Sequence, residues 1–347
     1  MLFFTRLILR LIRVSNIFVF GAAAVFIFST SLLAYRLEPD TFETLFNALW
    51  WVMTTVTTVG YGDFYPRTTA GKWLGMFLFI FGVSLLSITI SKVIDALLVY
   101  QRKKEAGKLQ YHGQNHFVII AWSKHAELAI LEILNTDPSA EVVLIDSAEK
   151  TPLTHDRVHY VQGNPVQEAT LVMANLAKAR AVFIFADEVT ENHTVIRDTA
   201  FIDGKTLLVA TAIERNYQHV HTIVEVKDEG NIRNFQHVKV DEFILGNETI
   251  SHLAVRSAFN PGASKILSQL LTRRDEGDLF QINKNPQWTT YRDAFDDLLK
   301  QGATLIADGD NLGINQRLDD KIPDQAQLFV ICDKAAYERL VSRRGSR

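Results

Sequence analysis

The chain has one cysteine, Cys332, in 347 residues. No intrachain disulfide is therefore possible, and a reducing cytoplasm fits. It has no excess of positive charge: 36 Lys and Arg stand against 39 Asp and Glu, a net charge of -3. Nothing in that balance favours nucleic acid. It has no low-complexity tract and no repeat of its polar half. No Ser-His-Asp ordering and no paired-carboxylate context points to catalysis, so no catalytic site is expected. Charge itself is missing over two stretches, Val14 to Tyr35 and Trp73 to Ser91. Each is close to the roughly 20 residues that cross a bilayer. Buried helices of a soluble protein are the alternative. The segment between the two runs argues against it.

That segment begins with Thr41 to Thr57, largely apolar but too short to cross with the adjoining loop attached. It reads as a re-entrant helix. Next come Thr58, Val59, Gly60, Tyr61 and Gly62, then Asp63. Glycine at alternate positions permits backbone conformations that other residues resist. Non-helical backbone at membrane depth survives only where protein or a water-filled path surrounds it. The order is thus span, short helix, glycine-bearing loop, span.

The run TVGYG resembles the filter of the potassium-channel pore family. The resemblance implies four chains around an axis, whose stacked carbonyl rings replace the hydration shell of potassium. It implies K+ held at Thr58, Val59, Gly60 and Tyr61, with the Thr58 hydroxyl adding an inner ring. Asp63 is expected at the outer mouth, raising local cation concentration. Trp50 and Trp51 fall on the pore helix, where they either buttress the filter through indole N–H groups or fill apolar space. Gly82 lies mid-span in the second run. Glycine costs about 1 kcal/mol in a helix interior, so it marks either a gating hinge or a close helix contact. Ser84 is the competing hinge position.

Arg6, Arg10 and Arg13 precede the first span, and Lys92, Arg102, Lys103, Lys104 and Lys108 come after the second. Only Arg36, Arg67 and Lys72 lie between. The positive-inside rule places both termini in the cytoplasm of a multi-pass protein of the cell membrane. The opening MLFFTRLILRLIR is expected to lie on the inner membrane surface as an amphipathic helix. A signal peptide would need a small-residue cleavage site, and a voltage sensor would need further spans.

The rest alternates strand and helix. Strands are expected at His116–Ala121, Glu141–Asp146, Val158–Val161, Ala181–Phe185, Thr222–Val226 and Glu242–Leu245. Helices are expected at Glu127–Leu134, Glu168–Leu176, Thr206–Glu214 and Asn231–Val238. Such alternation predicts a parallel, doubly wound Rossmann-type sheet. From Asp278 onward the strands LFQIN, ATLIA and QLFVIC and two helices form a small α+β lobe.

A two-span pore joined to such a domain resembles prokaryotic potassium channels with a regulator-of-conductance (RCK, TrkA-N-like) domain. HFVIIAWS, the run VHYVQGNPVQEATLVMANLAKARAVFIF, and TIVEV carry the likeness, with Asn247 to Leu271 as the subunit-crossing helix-turn-helix broken at Asn260-Pro261-Gly262. The expected domains are an interfacial helix (1–16), pore (17–99), linker (100–113), Rossmann-type domain (114–246), crossover (247–275) and C-terminal lobe (276–347). The resemblance implies a homotetramer whose cytoplasmic domains pair into a gating ring.

The regulatory ligand is open between a nucleotide and a divalent cation. A dinucleotide turn would read Gly-x-Gly-x-x-Gly; here the positions hold Ala121, Ser123 and Ala126. Asp146 ends the second strand, where an acid can bind a ribose hydroxyl, or simply cap a turn. For calcium, which takes several hard oxygens, family positions correspond to Phe185, Glu225 and Lys227, of which only Glu225 is acidic. Asp187, Glu188 and Glu191 form an acidic loop nearby, a second cation site or a solvated loop. His219 and His221 are a metal pair or surface histidines. The expected function is a ligand-gated, potassium-selective channel carrying passive flux. The alternatives are a subunit of a larger potassium uptake system and, against the glycine-poor turn, a soluble nicotinamide-dependent oxidoreductase.

Overall fold

The computed structural model describes residues 16–189, 194–271 and 277–342. The chain divides into two compact units, Met1–Leu109 and Gln110–Arg347. The expected surface helix of residues 1–16 lies almost wholly outside the described residues.

In the first unit, α1 (Asn16–Leu37) has 22 residues, about 33 Å at ~1.5 Å per residue. That matches a hydrocarbon core of roughly 30 Å. The short helix α2 (Leu45–Val56) starts where Thr44 Oγ1 accepts the Asn47 N–H at 3.2 Å. The long helix α3 (Thr69–Glu105) is capped by Thr68, whose Oγ1 accepts the Gly71 N–H at 3.0 Å. Five residues within it, Leu78–Gly82, take π-helical geometry. Hydroxyls on α3 are satisfied internally: Ser84 bonds the Ile80 carbonyl at 2.8 Å and Ser87 that of Val83 at 2.9 Å. Such back-bonding removes the cost of bare hydroxyls in hydrocarbon. Ala34, Phe42, Trp51, Val56, Leu74 and Leu78 form the core that seats α2 between the spans. Phe18, Phe28, Phe79 and Ile80 remain exposed on the single chain, as lipid-facing or subunit-facing residues should be.

The second unit holds a six-stranded, all-parallel sheet in the order β3-β2-β1-β4-β5-β6. The strands are β1 (Phe117–Ile120), β2 (Val142–Asp146), β3 (Val158–Gln162), β4 (Ala181–Ile184), β5 (His221–Val226) and β6 (Glu242–Leu245). This is the doubly wound order, with its reversal between β1 and β4. Alternation splits β1, β2, β3 and β4 between two cores. Val118, Ile120, Val143, Ile145 and Val182 pack with Ala210 and Ile213 of the helix Thr199–Tyr217. Ile119, Val142 and Leu144 pack with Ile130 and Leu134 of α4 (Lys124–Thr136). A helix-turn-helix comes next, as Gly246–Phe259 and Ala263–Leu271. The lobe is an antiparallel sheet β7-β9-β8, formed by Asp278–Asn283, Gln327–Cys332 and Thr304–Asp308, with the helix Tyr291–Lys300 closed by a Thr290–Asp293 capping box.

Two local expectations shift. The helix expected at Thr206–Glu214 begins at Thr199, because Asp198 caps it by accepting the Ala200 and Phe201 N–H groups. The helix expected at Asn231–Val238 is instead 3-10 geometry at Glu229–Phe235. Buried Asp203 accepts from Lys227 N, Asp228 N and Asn231 Nδ2, which holds that segment in a tight turn.

Candidate functional site

The loop after α2 has positive φ at every second residue: Thr58 at 61°, Gly60 at 55° and Gly62 at 78°. Such alternation turns successive carbonyls toward one side of an extended chain. No atom lies within 4 Å of a Cβ built on Gly60 or Gly62. In the single chain the demand for glycine is thus conformational rather than steric. The last turn of α2 feeds the loop directly, since the Thr54 carbonyl accepts from Val59 N at 2.9 Å and Gly60 N at 3.1 Å. The negative end of the helix dipole therefore meets the loop, a favourable place for a cation.

The neighbouring tryptophans do different work. Trp50 stacks on Tyr61, centroids 5.7 Å apart and planes 4° from parallel, and donates its indole N–H to Asp63 Oδ2 at 2.8 Å. Asp63 Oδ1 accepts Phe64 N at 3.1 Å. Trp51 is buried against Phe42. One buttresses the loop and the other fills the core.

Glu38, between α1 and the pore helix, is a residue sequence reasoning passed over. It is 4% exposed. Its carboxylate accepts from Thr41 Oγ1 at 2.7 Å, Arg67 N at 2.9 Å, Thr68 N at 2.7 Å and Thr68 Oγ1 at 2.8 Å. It ties the end of α1 to the chain leaving the glycine-bearing loop. Burial pushes its pKa up, but the bonds from Arg67, Thr41 and Thr68 outweigh that and hold it below the usual value. A Cβ on Gly71 would come within 2.2 Å of Glu38 Oε1, so glycine is required there. The available signal was an acid set directly after an apolar span.

Gly82 ends the π segment and abuts the pore helix. A Cβ there would stand 2.7 Å from Val56 Cγ2. Close packing therefore has a physical basis at this position, and the π geometry adds a place where helices bend.

In the sheet unit, the turn after β1 enters the left-handed region although it holds none of the fingerprint glycines. Ala121 has φ of 69°. Ser123 caps α4 by accepting Ala126 N at 3.1 Å. Asp146 accepts Trp122 N at 2.8 Å on one oxygen and Ala148 N at 2.9 Å on the other. Both oxygens thus fasten backbone.

Across the same carboxyl edge of the sheet, Lys227 Nζ lies 2.9 Å from Glu225 Oε1 and 2.6 Å from Glu188 Oε1. Glu225 is buried and also meets His125 Nδ1 at 3.0 Å and Ala186 N at 3.0 Å. Burial pushes the Glu225 pKa up, yet Lys227 and the Ala186 N–H bring it below the ordinary range. Burial pulls the Lys227 pKa down, yet the two carboxylates raise it above normal. Asp187 pairs with Lys205 instead, and Glu191 lies outside the described residues. His219 bonds the Ala177 carbonyl and His221 meets Glu242. Among the described residues, no group of three or more His, Cys, Asp or Glu is placed to hold a metal.

Residues 17–99 match the family described as ion channel, and residues 123–224 match the calcium-activated potassium channel slowpoke-like RCK domain. The calcium-gated potassium channel TvoK of Thermoplasma volcanium is 30% identical over 237 residues, covering 68% of this chain and 66% of that one. The protein YugO of Bacillus subtilis is 30% identical over 220 residues, covering 63% of this chain and 65% of its own length. Both alignments fall just short of two thirds of the relative. The human SLO3 gating ring superposes with a TM-score of 0.51 at 14% identity, over 65% of this chain and 46% of that one. That likeness concerns the fold alone.

Proposed function

We propose that this chain, which joins an ion-channel pore segment to an RCK domain, is a potassium-selective channel whose pore is gated by that domain. The observation that carries this reading is the alternation of positive φ at Thr58, Gly60 and Gly62 directly beyond a helix C-terminus. Four copies around an axis would present rings of carbonyls from Thr58 to Tyr61, with four helix dipoles aimed at the ion. Potassium then sheds water at little cost and moves down its gradient. Asp63 concentrates cations at the outer mouth. Both termini face the cytoplasm of the cell membrane, a reading the Lys and Arg placement supports.

The RCK domains pair into a gating ring. The helix-turn-helix supports this, since neither of its helices buries a residue within the chain. Phe259 is 81% exposed and Leu271 76%. An apolar surface of that kind is suited to a second copy. Ligand binding opens or closes the pore by its differential affinity for two ring arrangements; moving 1:99 to 99:1 takes about 5.5 kcal/mol. The ligand is a divalent cation or a nucleotide. A nucleotide must accept the Ala121-Ser123 turn, and a divalent cation at Glu225 must displace Lys227.

Potassium flux into liposomes carrying only the purified chain tests the reading. Selective flux, changed by calcium or an adenine nucleotide, is expected. Flux that needs a second protein would instead mark a subunit of a larger uptake system.

A further inference from the structure

The segment that leads into β1 is folded onto the amino edge of the parallel sheet. Tyr111 N donates to the Met173 carbonyl at 2.8 Å, and Asn115 N to that of Lys178 at 2.8 Å. Asn175, held at φ of 51°, donates its side-chain amide to the Gly113 carbonyl at 2.7 Å. The Tyr111 hydroxyl donates to the carboxylate of Glu141, the residue before β2. A Cβ on Gly113 would stand 2.2 Å from Tyr111 Oη, so glycine lets the tyrosine fold back. The Glu225 and Lys227 pair lies at the opposite, carboxyl edge.

Tyr111 lies edge-on to the His116 ring, centroids 4.5 Å apart, and 5.4 Å from the ring of His159 on β3. His116 is 1% exposed. Its Nε2 meets the Ala174 carbonyl at 3.0 Å. A carbonyl only accepts, so Nε2 carries the proton and Nδ1 is a bare lone pair. Nδ1 is buried and has no hydrogen-bond partner among the described residues. Protonation would put a second N–H there with no acceptor, and a charge out of water. Glu141 favours the charged ring and His159 opposes it. Arg180 gives its backbone N–H to the His116 carbonyl at 2.8 Å and sets its guanidinium over Phe117. His112, beside Tyr111 in the chain, is exposed. Burial outweighs the Ala174 bond and Glu141, and holds the His116 pKa below its ordinary 6.5.

We propose that His116 is the proton sensor of a latch, whose protonation releases residues 111–115 from the amino edge of the sheet. With Tyr111 lifted, water reaches the ring and solvates the imidazolium, so acid favours the open latch. The consequence rests on the channel reading. The freed residues lie in sequence between α3 and the sheet and span on the order of 17 Å when extended. Slack of that size weakens the pull of the cytoplasmic domain on the pore.

Hydrogen exchange of the full chain in detergent between about pH 7.5 and 5 tests the latch, read at the Tyr111 and Asn115 amides and corrected for intrinsic rates. The folded pKa is depressed, so the latch is fully stable above 6.5 and loses stability as pH falls toward the folded value. Protection of the two amides is expected to drop about tenfold per pH unit over that window, while Val143 and Leu144 of β2 stay protected. H116Q keeps a donor for the Ala174 carbonyl and takes no proton, so its drop is expected to vanish. H159Q is expected to retain it. Y111F is expected to lower protection about fivefold at neutral pH with the same slope. Wild-type protection indifferent to pH overturns the proposal, as does a drop that survives in H116Q or disappears in H159Q. Parallel loss in β2, the mark of global unfolding, overturns it too, and so does unchanged protection in Y111F. The wild-type slope is read without any variant, so a poorly folding H116Q leaves the test standing. Exchange needs no current, so a failure here is separable from a failure of the channel reading.

Discussion

Trp50 donates its indole N–H to the carboxylate of Asp63 at 2.8 Å while its ring lies flat on Tyr61. The short helix α2 thereby holds the glycine-bearing loop at two points, one polar and one aromatic. Trp50→Phe keeps a ring for stacking and removes the hydrogen bond. A bond to a charged acceptor contributes about 1.5–3 kcal/mol, less where exposed. The expected result is a current that decays during sustained opening, with insertion intact. Asp63→Asn should shift the same decay. Unaltered kinetics in both variants would remove this contact from filter stability.

Gly60→Ala forces a side chain into φ of 55°. The left-handed region costs a non-glycine residue roughly 1–2 kcal/mol, and four subunits would each bear it. Potassium flux should vanish or lose selectivity over sodium, while the protein still reaches the membrane. Sustained potassium-selective flux from this variant would falsify the filter assignment.

Glu38→Gln replaces one accepting oxygen with an NH2 group that faces the backbone donor of either Arg67 or Thr68, since each is accepted by a different carboxylate oxygen. A buried donor left without an acceptor costs about 1–3 kcal/mol. The pore tetramer should dissociate at lower temperature, and the potassium-to-sodium permeability ratio should fall. A lowered dissociation temperature with an unchanged ratio would confine Glu38 to structural support.

Gly82→Ala tests packing against bending. Its new methyl meets Val56 Cγ2 at 2.7 Å. Lower thermal stability of the tetramer is expected, with recovery in the Gly82→Ala/Val56→Ala double variant. If Gly82 instead serves as a hinge in the π segment, single-channel open probability drops and Val56→Ala does not restore it. No change in either measurement would move the search toward Ser84.

Lys227→Met removes the cation held by Glu225 and Glu188. The vacated carboxylates, with His125 beside them, then become available to a divalent cation. Calcium binding by calorimetry should appear in the variant and be absent through Glu225 in the wild type. Calcium-dependent wild-type flux that Glu225→Gln abolishes would contradict this. The same pair sets the pH dependence of stability. Glu225 titrates below its ordinary 4.5 in the folded chain, so its contribution is present above that value and lost as pH falls through the folded pKa. Lys227 titrates above its ordinary 10.5, so its contribution is present below that value and lost as pH rises through the folded pKa. Thermal unfolding of the wild type should show both losses, and Lys227→Met should lose the alkaline one.

Much of the architecture was legible from short stretches of chain. Two charge-free runs, a short apolar helix and TVGYG are local patterns, and the strands between Phe117 and Leu245 arise from runs of Val and Ile. Helix ends were less legible where a cap decided them, as at Asp198, or where a distant carboxylate did, as at Asp203.

The amino-acid sequence alone determined the span pattern, the loop that needs glycine, and the parallel α/β architecture, because each rests on periodicity or backbone preference within about ten residues. Tertiary structure decided which side chains meet. Glu38 reaches Thr68 across 30 positions, Glu225 reaches Ala186 across 39 and His125 across 100. No local pattern carries such pairings, since they arise only when packed elements bring a buried carboxylate to its donors. Lys227 read in sequence as a charge reversal; in the fold it is the cation that its two carboxylates hold.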